Sequence, residues 1–142
     1  FSEGWALYAE KLADEMGGYT SNEERYGQLI MELWRAVRLV LDTGLHSKGW
    51  SKEQALEYRL ANTPFSEQDS IHAIERYLVM PGQATSYKIG ALEIERLRHK
   101  AKKTLGRKFS LPEFHQVILE QGALPLDILE QQVDQWLERK NR

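Results

Sequence analysis

The stretch SNEERYGQLIMELWRAVRLVLDTG, residues Ser21–Gly44, decides the fold class. Within it Tyr26, Leu29, Ile30, Leu33, Trp34, Val37, Val40 and Leu41 recur at helical spacing, which gathers them into one stripe along an α-helix. Ser21, with Glu24 three residues on, carries the capping-box signature that opens such a helix. Gly44 reads as its end. A stripe this long is expected to face a core over its whole length.

The flanking segments repeat the pattern. On the N-terminal side FSEGWALYAEK forms a first helix, stopped by Gly17-Gly18. On the C-terminal side Leu45 to Trp50 reads as a connection. Ser51 and Gln54 then cap a third helix that Asn62-Thr63-Pro64 breaks. Ser66 and Asp69 open a fourth through Ile71, Ile74, Tyr77 and Leu78. Pro81 lacks the amide that would bond the carbonyl of residue 77, so the helix must break or kink there. A fifth runs from Gln83 to Leu105, a sixth from Ser110 to Gly122 and a seventh from Leu126 to Lys140. No strand-period alternation of useful length, repeat or low-complexity linker interrupts this series. The fold class is all-α, about seven helices in an irregular bundle forming a single domain over 1–142.

Composition narrows the function. A net charge of -2 gives no electrostatic case for nucleic acid, and the basic run His99–Lys103 reads as a solvated helix face. No stretch is apolar enough to span a membrane, and no signal peptide is visible. The absence of cysteine excludes disulfides and thiolate metal sites, but leaves cytoplasm and periplasm both open.

The first helix carries Glu3 in an aromatic, apolar run with Trp5, Leu7 and Tyr8. A carboxylate in such a setting calls for a cation, several hydrogen-bond donors or a metal. No cap precedes it, as expected of a piece cut from a longer chain. The bland account of Glu3 is a surface pair with Lys or Arg.

Three separated segments, EGWALYAEKL (Glu3–Leu12), RLVLDTGLHSKGW (Arg38–Trp50) and RYLVMPGQATSYKIG (Arg76–Gly90), resemble the C-terminal part of the bacterial domain-of-unknown-function-885 family. Its members resemble helical gluzincin zinc peptidases. The motifs cover residues 1–107, and 108–142 form a C-terminal helical layer beyond them. The resemblance implies a zincin-like parent in which a histidine pair binds zinc and a glutamate on a later helix completes the ligands. Glu3 matches that last position. The four histidines, His46, His72, His99 and His115, include no pair one helical turn apart, so the partner ligands are expected upstream. Zinc is thus expected in the full-length parent and none in this chain alone. The missing N-terminal part of the same chain is expected as a partner, with self-association as another way of covering an apolar patch around Trp5.

The same resemblance implies an oxyanion donor. Tyr77, in the pair Arg76-Tyr77, is the first candidate and Tyr87 the second, with His72 behind them. One of the tyrosines is expected to share a cleft with Glu3, the polar tips roughly 5 to 10 Å apart. Arg38, His46 and Lys88 are candidates for substrate binding, Arg38 because guanidinium holds carboxylate in two parallel hydrogen bonds. Their bland accounts are an Arg38–Asp42 surface pair and a solvent-facing lysine. The expected function is the C-terminal portion of a zinc-dependent peptidase acting on peptides. The alternatives are a non-catalytic peptide- or partner-binding module and a purely structural helical domain.

Overall fold

In the computed structural model, which describes residues 1–142, seven α-helices follow one another: α1 Ser2–Glu15, α2 Asn22–Ser47, α3 Lys52–Asn62, α4 Glu67–Val79, α5 Gln83–Leu105, α6 Leu111–Leu119 and α7 Leu126–Asn141. A 3-10 turn, Gly106–Lys108, joins α5 to α6. Local chemistry accounts for most boundaries. Ser21 and Ser51 each accept from the third amide of their helix while Glu24 and Gln54 reach back to the cap amide. Ser66 caps α4 through the Asp69 amide. Pro81 falls between α4 and α5, and Gly82 makes the turn with φ of 82°.

One boundary departs from expectation. Gly44 does not end α2, which continues to Ser47. A Cβ at Gly44 would lie 2.5 Å from the Trp50 ring, so glycine here admits the indole, and the turn itself falls on Gly49 at φ 69°.

The helices build two cores that share α5. The larger joins α1, α5, α6 and α7 through Leu7, Tyr8, Ile94, Leu97, Phe114, Ile118, Leu129, Val133 and Trp136. The smaller lies between α2, α3, α4 and the start of α5, around Val37, Leu41, Ala55, Ile74 and Tyr77. Three ion pairs tie α5 to α7: Arg96–Glu130, Lys100–Glu130 and Lys100–Asp134.

The α2 stripe is covered only in its C-terminal half. Val37 and Leu41 are buried, whereas Tyr26 and Leu29 remain 62% and 59% exposed, and Leu33 and Val40 are also exposed. The smaller core underlies only the later turns, and no helix of the chain covers Tyr26 and Leu29. Trp5, expected in an apolar patch, instead packs against Tyr8 and His115 with ring centroids 5.5 Å apart. The exposed apolar residues cluster on α2 and at the end of α4, where Leu78, Val79 and Met80 are solvent-facing.

Candidate functional site

Two glycines set the geometry around Glu3. Helix α1 packs along α5, and their closest approach is at Gly4 and Gly90. A Cβ on Gly4 would fall 2.4 Å from the Gly90 backbone, and one on Gly90 would fall 2.8 Å from the Gly4 Cα. Only two hydrogen side chains permit this crossing. Glu3, next to Gly4, is thereby set against the first turn of α5.

There Gln83 Nε2 donates to Glu3 Oε1 at 3.1 Å and to the Tyr87 hydroxyl at 3.3 Å. Its other end, Oε1, accepts from Arg38 Nη2 at 2.9 Å. The carbonyl must face the guanidinium and the NH2 the carboxylate, because arginine only donates and carboxylate only accepts. Gln83 thus stands as a neutral spacer between a carboxylate and a cation. Glu3 has no Lys, Arg or His partner, so the bland account of a paired surface carboxylate does not describe it. The two bonds from Gln83 hold Glu3 Oε1 and the Tyr87 oxygen no more than about 6.4 Å apart.

Tyr87 accepts from Gln83 and keeps its own O–H free to donate. Its ring lies beside two guanidiniums, Arg35 at 4.3 Å and Arg38 at 4.4 Å from ring centroid to Cζ. Arg38 is only 3% exposed, its Nε has no partner, and it forms no ion pair. The Arg38–Asp42 surface pair expected from spacing is absent. Asp42 Oδ2 instead accepts from the Gly82 amide at 2.9 Å, holding the turn that introduces α5.

Tyr77 is engaged differently. It is 2% exposed, and its hydroxyl accepts from Trp34 Nε1 at 3.2 Å and Arg59 Nη1 at 3.4 Å. Arg59, equally buried, also donates to Ser70 Oγ. Burial, and behind it the charge of Arg38, draws the Arg59 guanidinium down from its ordinary value. These contacts account for Tyr77 as a member of the smaller core. Tyr87, the second candidate from sequence, is the tyrosine beside Glu3.

The other candidates have evident partners. His46 Nε2 lies 2.9 Å from the Tyr77 carbonyl, which can only accept, so that nitrogen carries the proton. It also stands 3.3 Å from Asp42 Oδ1 without a hydrogen bond, since its proton is directed to the carbonyl. Lys88 pairs with Glu32 at 2.8 Å, and His72 is exposed on α4 beside Gln68. Five pockets elsewhere on the surface are lined by other residues.

No group of three His, Cys, Asp or Glu side chains converges in the chain. Glu3 is partly buried and free of competing cations, so its chemistry suits a single ligand position, and these residues alone do not assemble a set of three. Sequence reading missed Gln83 as the centre of the network and Gly4 and Gly90 as its mounting. All three lie within the quoted motifs, yet nothing local to a glycine or a glutamine reveals a partner about eighty residues away.

The family model described as "Bacterial protein of unknown function (DUF885)" matches residues 1–133. No curated protein matches. Among solved structures, one titled as a "putative lipoprotein" from Colwellia psychrerythraea superposes with a TM-score of 0.93 at 50% identity. The match covers 97% of this chain and 24% of that one, so the chain spans about a quarter of its neighbour's length. No helix is long and apolar enough to cross a membrane.

Proposed function

The chain belongs to the DUF885 family of bacterial proteins, and from that premise we propose that it is the C-terminal portion of a zinc-dependent peptidase. The observation that carries the reading is the Glu3–Gln83–Tyr87 arrangement: an unpaired carboxylate and a tyrosine O–H free to donate, joined through one amide. In this reading Glu3 is one zinc ligand, and the others come from outside these 142 residues. Zinc, when bound, polarises the peptide carbonyl and makes water nucleophilic.

Side chains of this chain hold the ligand and donate to the oxyanion, while the base that takes the proton from water comes, like the other ligands, from outside these 142 residues. Gln83 holds Glu3 by one oxygen and leaves the second without a protein donor, while keeping Arg38 from drawing the carboxylate into an ion pair. The Tyr87 hydroxyl donates to the oxyanion that forms on the substrate carbonyl, a contact stronger in the transition state than in the ground state. Tyr77, fixed by Arg59 and Trp34, supports the wall behind it. Arg38, buried 4.4 Å from the Tyr87 ring centroid, brings positive charge up to the substrate side, whereas His46 and Lys88 hold the α4–α5 turn and α2 in place.

The test is peptide hydrolysis by the full-length protein that carries this segment. Activity lost on chelation, lost again in Glu3→Ala, and lowered about a hundredfold in Tyr87→Phe is the expected result. Hydrolysis that persists in Glu3→Ala would refute the reading. A full-length protein with zinc bound but no hydrolysis of any peptide would support the alternative, a binding module that uses the same arginines.

A further inference from the structure

The region around Trp34 holds more positive charge than its surroundings neutralise. Arg35 and Arg38 flank Tyr87, and Arg59 lies 5.5 Å from the Trp34 ring centroid. None of the three has a carboxylate within ion-pair distance, although other partly buried cations of the chain, Lys88 and Arg98 among them, do. Arg38 and Arg59 at least spend donors on Gln83, Ser70 and Tyr77. Arg35 has no hydrogen-bond acceptor at all. It is held by aromatic faces alone, 4.3 Å from both Trp34 and Tyr87, and it is partly open to solvent. Burial, and next the charge of Arg38, draws its guanidinium down, with Glu10 opposing only from beyond ion-pair distance. An arginine placed 4.3 Å from two ring centroids and bonded to no acceptor keeps its donors for a ligand, and those donors match carboxylate.

We propose that Arg35, backed by Arg38, receives the free C-terminal carboxylate of the peptide substrate, so that the full-length protein acts as an exopeptidase at C-termini. This rests on the peptidase reading above. Two observations favour a carboxylate from the substrate over one from the protein itself. Arg38 keeps a buried Nε without a partner, and its Nη2 bonds only a neutral amide, which a stronger acceptor can displace. The separation also limits how much of a substrate fits. The two hydrogen bonds through Gln83, with the amide between them, place Arg38 Nη2 at most about 8.6 Å from Glu3 Oε1. One extended residue spans about 3.5 Å. A substrate carboxylate bonded at Arg38 therefore lies within one or two residues' reach of Glu3, so a peptide bond close to the free C-terminus is the one set beside Glu3 and Tyr87.

The test uses the full-length zinc protein with one peptide in two forms, free acid and C-terminal amide. The wild type is expected to cleave the acid at least about a hundredfold better in kcat/KM, releasing the terminal residue. Arg35→Gln is expected to remove that preference by lowering the acid's kcat/KM about a hundredfold relative to the amide's, with the zinc content unchanged, and Arg35→Lys to restore part of it. Equal cleavage of acid and amide by the wild type overturns the proposal and leaves the peptidase reading intact, and it needs no variant to fold. Cleavage lost equally for both forms in Arg35→Gln also overturns it. Absence of zinc and of hydrolysis overturns both readings together.

Discussion

The two cores that share α5 are built on opposite principles. The one between α1, α5, α6 and α7 is filled with aliphatic and aromatic side chains, and its charges lie at the rim in paired form, as in Arg98–Glu15 and Lys100–Asp134. The one between α2, α3 and α4 encloses Arg38, Asp42, Arg59 and Ser70 around a few aliphatic residues. Buried charge without an ion-pair partner is costly. A region that retains it after the neighbouring region has found an apolar solution is the one to suspect of function. The first core seats α1 against α5, and the second sets the Arg38 guanidinium 4.4 Å from the Tyr87 ring centroid.

Mutation separates the two. Ile118→Ala, in the apolar core, is expected to lower stability by about 2–5 kcal/mol in chemical denaturation, from lost burial and the cavity left behind. A loss below about 1 kcal/mol would mean that this core is loosely packed and that the contrast is overstated. Next in size is Gly4→Ala. Its added methyl meets backbone and not a movable side chain, so about 1–3 kcal/mol is expected, together with loss of activity in the full-length protein as α1 shifts away from Gln83. Full activity would show that the glycine crossing does not position Glu3.

The charged core should respond in the opposite sense. Arg59→Met removes a buried unpaired charge at similar volume, and a change within about 1 kcal/mol, of either sign, is expected. A loss comparable to that of Ile118→Ala would make Arg59 a structural element and erase the distinction. The smallest effect belongs to His115, which receives or donates the 2.8 Å bond with the Tyr8 hydroxyl. Burial, and after it the nearby Arg98, holds His115 below its ordinary value. The unfolded chain therefore takes up a proton first as pH falls below about 6.5, and stability declines from there toward the lower folded value, while above about 6.5 this contribution is flat. His115→Gln should remove that slope in denaturation curves between about pH 6.5 and 5, before carboxylates dominate. An unchanged slope would assign it elsewhere.

How much of this was legible in sequence follows the range of the interactions. Capping boxes at Ser21 and Ser51, the Ser66 cap and the Pro81-Gly82 break act within four residues, and each fell where the local chemistry puts it. Gly44 was misread because a glycine that ends a helix and a glycine that admits an indole look alike until Trp50 is folded onto it. The α2 stripe was misread for a related reason: periodicity marks an apolar face, but not whether anything in the chain covers Tyr26 and Leu29. No local signal ranks Tyr77 against Tyr87, which stand on either side of the Pro81-Gly82 break, one in α4 and one in α5. Only the fold shows that Trp34 and Arg59 occupy the first, while Gln83 links the second to Glu3.

The central claim is that Glu3 is a metal ligand and Tyr87 its neighbour without being one. Zinc content of the full-length protein after exhaustive dialysis addresses it directly. The account predicts one equivalent of zinc in the wild type, one in Tyr87→Phe, and loss of zinc in Glu3→Ala with the fold retained. One full equivalent retained by Glu3→Ala would contradict it, and would leave Glu3 a carboxylate held by Gln83 and nothing more.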